Sequence, residues 1–265
     1  MRTSRLFWGV VLVILGGLLL LRSLGIILFN VGQIFWPTLL ILGGVWLLFG
    51  SKIRNRDLAE ENLAIPLESA REAVIDIHHG AGTLKLGNGA SAGQLLEGNF
   101  LGGVEHRVDY SGQWASVYLS TPSNVIFGLP TSSQGLRWDI RLTHAIPLDI
   151  RLHTGAGENQ ADFSGLLVRK LLLETGASSS VITLPARADQ THVDVHAGAA
   201  SVVLRVPKGV AGRIRLNSGL VKTQIDNVHF PFNGTNYETP GYEEAENRVE
   251  ISVEAGVGSI EILSV

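Results

Sequence analysis

The sequence predicts an all-β soluble domain, a β-solenoid of stacked strand-turn-strand repeats, carried behind a transmembrane α-helical hairpin. Three observations predict it. From residue 75 onward a short phrase (apolar, any, apolar, any, any, Gly) recurs six times. Its four middle glycines, Gly155, Gly176, Gly198 and Gly219, stand 21, 22 and 21 residues apart. Residues 6–50 hold one charged side chain, Arg22, whereas the rest of the chain is polar and mixed. Self-similarity at a fixed period of this length marks a stacked array.

The apolar block comes first in the chain. It is about twice what one crossing of the roughly 30 Å hydrocarbon core requires, so it predicts two spans, near residues 6–21 and 34–49. It is too long for a signal peptide and lacks a small-residue cleavage site. Both spans are short, which suits Arg5, Arg22 and Lys52 reaching for the interfaces. Each opens on an aromatic pair, Phe7-Trp8 and Phe35-Trp36, and Trp favours the headgroup region. Paired glycines follow in each, Gly16-Gly17 and Gly43-Gly44, where helix backbones can pack closely. Arg2 and Arg5 precede the block, Lys52, Arg54 and Arg56 follow it, and only Arg22 lies between. Positive charge stays on the cytoplasmic side, so the expected topology is a hairpin with both ends in the cytoplasm.

Residues 51–70 read as a juxtamembrane linker, and residues 71–265 as the β-repeat domain. Counting from the glycine of each repeat, positions −5 and −3 are apolar in all six copies, for example Ile75 and Ile77, or Leu171 and Leu173. Position −2 is always polar: His78, His153, Glu174, His196, Asn217 and Glu254. Apolar residues return at +4 and +6, so each unit reads as strand, Gly turn or bend, strand. A unit of about 21 residues buries no core alone and gains one only by stacking. Two insertions interrupt the period, at 87–147 and 227–247. The first holds further alternating strands; the second carries Pro, Gly, aromatics and glutamates. The final unit, 249–263, is expected to cap the array.

Beyond residue 61 there are 15 basic against 21 acidic residues, which argues against nucleic acid as a partner. The absence of cysteine removes disulfides, thiolate metal sites and thiol nucleophiles. Stacked about 4.8 Å apart, His153, Glu174 and His196 would form a ladder with the ligand types that zinc or another divalent ion accepts. The same residues also describe a solvated polar face. That plainer reading is adopted, so no metal and no cofactor is expected. In the 227–247 loop, Phe230, Phe232, Tyr237 and Tyr242 could anchor a partner contact. The plainer reading, that Phe230, Phe232 and Tyr237 fold back to cover an open end of the solenoid, is preferred. Gly80-Ala81-Gly82 and Gly155-Ala156-Gly157 lack the helix that a phosphate loop needs. No nucleophile elbow and no special carboxylate pair stands out, so no catalytic residue is assigned and an enzyme is not expected.

Two segments carry a family resemblance. Phe35-Trp36-Pro37-Thr38 through Gly43-Gly44, with its echo from Phe7, resembles the transmembrane region of LiaI/LiaF-like bacterial membrane proteins. The run from Trp138 through His153-Thr154-Gly155-Ala156-Gly157 to Leu166 is similar to the toast-rack β-repeat domains that follow such regions. The resemblance implies a LiaF-like protein of the bacterial cytoplasmic membrane. It implies a non-enzymatic modulator of envelope-stress signalling that contacts a membrane sensor kinase. It supplies no catalytic residues. The second reading is a membrane-tethered β-solenoid that self-associates into a homo-oligomeric scaffold. Partners are then the lipid bilayer and a membrane protein.

Overall fold

Period-2 alternation on either side of a central glycine bend builds the long strands of this domain, each of 15 to 17 residues. The computed structural model describes residues 60–122 and 135–265. The chain divides into two units, Met1–Arg56 and Asp57–Val265. The expected spans and Gly16, Gly17, Gly43 and Gly44 lie outside the described residues. Among those described, no helix is long and apolar enough to cross a membrane.

Among the described residues, twelve strands form one sheet: β1 (Glu60–Pro66), β2 (Glu72–Asn88), β3 (Gln94–Leu101), β4 (Glu105–Ser111), β5 (Trp114–Ser120), β6 (Arg137–Leu142), β7 (Leu148–Asp162), β8 (Val168–Thr183), β9 (Gln190–Val206), β10 (Ala211–Ile225), β11 (Tyr237–Glu238) and β12 (Arg248–Ser264). The six repeats are the six long strands. Each runs through its glycine as a bend inside one ladder-paired strand. Side-chain parity flips there: β2 buries 73, 75, 77 and 79 before the bend, then 84 and 86 after it. The flip aims both halves of every strand at the same interior, and their apolar residues join one cluster. A second corner closes each coil. In Asp162–Leu166, Phe163 and Leu166 are buried, and Asp162 Oδ1 accepts from the Ser164 backbone N–H at 3.0 Å and its hydroxyl at 2.7 Å.

The spatial order of the long strands is β2-β7-β8-β9-β12-β10, all parallel. The last repeat therefore does not cap the array, as the linear order of the chain led us to expect. It slots between β9 and β10, and β10 becomes the outer unit. The excursion at 227–247 is long enough to carry the chain back across β10 for this.

The insertion at 87–147 leaves the stack intact, because β2 pairs directly with β7 over residues 73–86. On its other side β2 serves two neighbours. Residues 72–78 pair with β5, which pairs with β4, and residues 83–88 pair with β6, which leads to β3 and β1. The expected linker differs as well: its residues 60–66 are β1, in register with β3.

Candidate functional site

The bend is where the repeats bring polar chemistry together. At most of its glycines close approach leaves little or no room for a side chain, Gly80 being the exception. A Cβ on Gly176 would lie 2.7 Å from the Gly155 carbonyl oxygen, and one on Gly219 would lie 2.8 Å from that of Gly256. Gly157 adds a backbone at φ +133, a region that L side chains rarely adopt. With no side chains at the corner, the residues beside it face an open groove. His78, Gly80, Thr121, His153, Glu174 and His196 line it at the β2 end.

Parallel register turns position −2 into a row: His78, His153, Glu174, His196, Glu254, Asn217. The rings of His78 and His153 stack with centroids 4.3 Å apart. His153 Nδ1 lies 2.9 Å from Glu174 Oε2, and His196 Nδ1 lies 3.4 Å from Glu254 Oε2. The expected ladder of His153, Glu174 and His196 is thus in register. Yet His196 engages Glu254, which reaches it through the displaced β12. The tightest group is a different one. Asp76 Oδ1 lies 2.9 Å from His78 Nε2 and 3.5 Å from His153 Nε2, so one carboxylate oxygen meets two imidazoles. Asp76 sits at −4, and the 21-residue spacing pointed to −2 alone.

Position −1 faces inward at the bend and is polar at one end. Thr154 donates to Thr175 at 3.0 Å, and the Asn159 amide reaches Thr154 and Ser180 at 3.1 and 2.9 Å. His79 occupies the same position in β2, 2 % exposed and edge-on to Trp138. Burial holds its imidazole down at about 4, and its Nε2 has no hydrogen-bond partner.

The four aromatics of the excursion divide. Phe230 and Tyr242 are buried, Tyr237 is half-buried in β11, and Phe232 stands 59 % exposed with its ring 5.0 Å from Tyr237. Phe230 packs over Gly212 of β10, where a Cβ would come within 2.8 Å of the ring. Arg213 holds the loop to the strand through Glu238 at 2.5 Å and Glu243 at 2.6 Å. Its guanidinium lies 4.1 Å from the centre of the Tyr242 ring. Hydrogen bonding to Arg213 holds the Glu243 carboxyl below its ordinary range. Only Phe232 of the four projects outward as an anchor would.

The N-terminal domain of toast_rack (DUF2154) matches residues 54–205, more than half of the chain. The chain belongs to the toast-rack family. The LiaI-LiaF-like transmembrane region matches residues 6–48, which associates this toast-rack protein with a membrane. No curated protein was found to match. A crystal structure of a proposed cell adhesion protein from Clostridium sporogenes is similar at TM-score 0.72 and 21% identity. That match covers 78% of this chain and 100% of the other, and it bears on the fold. Proposed adhesins from Parabacteroides distasonis (TM-score 0.24, 10% identity, 78% and 98% coverage) and Bacteroides fragilis (0.19, 8%, 79% and 99%) superpose too poorly to inform it.

Proposed function

We propose that this toast-rack protein is non-enzymatic and membrane-anchored, acts by contact with another membrane protein, and modulates envelope-stress signalling through a sensor kinase. The observation that carries the reading is the succession of the two family matches, a LiaI-LiaF-like membrane region at 6–48 and a toast rack from 54. The basic residues flanking the apolar block support a two-span hairpin with the rack in the cytoplasm. Protease added to intact spheroplasts tests the side: the rack should survive until the membrane is opened. Site-specific photo-crosslinking from the 6–48 region during envelope stress should recover a sensor kinase. If no membrane protein is recovered, and deletion leaves the stress response unchanged, the reading is wrong.

One observation favours the scaffold as a second reading. β11 covers β10 at Arg213 and Ile214 only. Beyond the bend, Leu220 of β10 is 84% exposed beside its register partner Val257, at 55%. An uncovered strand edge with apolar residues is a template for pairing. A detergent-extracted species of strictly monomeric or dimeric size would eliminate a scaffold.

A further inference from the structure

We propose that Asp76, His78 and His153 bind one divalent transition-metal ion of the zinc class, with Glu174 orienting His153 from behind. The inference is independent of the signalling reading. One ligand atom from each of the three residues lies within 4.8 Å of the others. For metal–ligand bonds near 2.0–2.2 Å, neighbouring ligands of a tetrahedral ion stand about 3.4 Å apart. The two distances from Asp76 Oδ1, 2.9 and 3.5 Å, bracket that value. Two imidazoles and a carboxylate suit zinc and its neighbours, whereas magnesium and calcium prefer oxygen sets.

The hydrogen bond behind His153 distinguishes this cluster from an ordinary ion pair. With Nδ1–H donating to Glu174 Oε2 at 2.9 Å, the neutral ring carries a lone pair on Nε2. That lone pair faces Asp76 Oδ1, itself an acceptor. Two acceptors that face each other repel, and a metal ion between them would satisfy both lone pairs. The carboxylate–histidine–metal relay is the usual means of fixing the tautomer of a ligating histidine. Asp76 Oδ1 is also shielded from solvent and makes no hydrogen bond of good geometry. Arg151 approaches the other oxygen, Oδ2, at 3.9 Å, which leaves Oδ1 free to ligate. The imidazoles are part exposed to the groove, so a fourth position is open to water or to a donor from a partner.

Each element contributes by its register. Asp76 and His78 lie two apart on one face of β2, and His153 is opposite His78 on β7. Glu174 is opposite His153 on β8. A bound ion would tie β2 to β7 at the point where the sheet divides toward β5 and β6.

The test is calorimetric titration of zinc into the full-length, tag-free chain in detergent, repeated with cobalt to read the ligand-field absorption of a tetrahedral site. The expected result is one saturable site. His153→Ala and Asp76→Asn should each weaken binding at least tenfold, and Glu174→Gln by roughly 10- to 100-fold. His196→Ala, two strands away and paired with Glu254, should leave binding unchanged. Retained strand circular dichroism in each variant separates ligand loss from misfolding, and zinc should raise the melting temperature of the wild type and of His196→Ala, with smaller shifts in the variants that lose affinity. Absence of saturable binding would overturn the proposal. So would equal losses from His196→Ala and His153→Ala, or displacement of zinc by excess magnesium.

Discussion

Phe230→Ala should weaken this domain far more than Phe232→Ala, although the two residues sit two apart on one loop. Phe230 is 1% exposed and its ring lies on Gly212 of β10; Phe232 is 59% exposed. A buried phenylalanine removes roughly 150–200 Å² from water, worth about 4–5 kcal/mol at 25 cal/mol per Å². Truncation in a tight site loses about 3–5 kcal/mol, the same range. In a domain of this size each kcal/mol moves the midpoint by about 2–4 °C, so the melting temperature should fall by about 6–20 °C. Phe232→Ala should stay within about 0.5 kcal/mol. Thermal melts followed at the strand circular dichroism signal give both numbers. Hydrogen exchange should also speed up at Thr239, whose amide bonds the Gly212 carbonyl at 2.9 Å. A Phe230→Ala variant within 1 kcal/mol of wild type would refute the idea that the excursion is the cover of β10.

Three further outcomes follow from the geometry. Gly176→Ala places a methyl 2.7 Å from the Gly155 carbonyl and should destabilise by about 3 kcal/mol or more in chemical denaturation, whereas Gly93→Ala, at φ +82 with open space, should lose about 1–2 kcal/mol. His79, held at about 4 in the fold against 6.5 ordinarily, takes its proton first in the unfolded chain, so stability falls as pH drops from 6.5 toward 4. Between pH 7.5 and 5, with chelator present, wild type should lose about 2 kcal/mol more than His79→Leu; parallel curves would contradict this. Arg213→Met should cost about 1–3 kcal/mol and raise hydrogen exchange across β11, because Glu238, Glu243 and Tyr242 lose their common partner.

The repeating unit was legible because its two requirements are local. Apolar residues at −5 and −3 must face inward, and the corner leaves little or no room for a Cβ in every copy but that of Gly80. The further alternating strands expected inside 87–147 are likewise present, as β3 to β6. What the sequence withheld is which unit stacks on which. Nothing in a 21-residue period says that His78 lies opposite His153 across a 61-residue insertion, or that Glu254 comes between His196 and Asn217. Those placements depend on long-range closure, which only the assembled sheet decides. Asp76 escaped notice for a related reason. Position −4 is Arg151, Leu172, Asp194, Arg215 and Ser252 in the other copies, so it shows no periodic identity. The aromatics of the excursion were conspicuous as a group, but burial of Phe230 and Tyr242 hinges on Gly212 and Arg213, which carry no mark in the sequence.

The slot occupied by β12 also sets an order of events during synthesis. While the ribosome is still making residues 207–247, β9 has emerged and its outer edge waits for a strand that is not yet made. β10 leaves the tunnel first, and the parity and glycine position it shares with β12 would let it dock there out of turn. Completion then requires the earlier arrival to yield its place, or to be held off by the excursion until β12 threads in. A chain stopped before residue 248 would keep a β9 edge with no rightful occupant, so premature termination should yield a product that aggregates or is degraded.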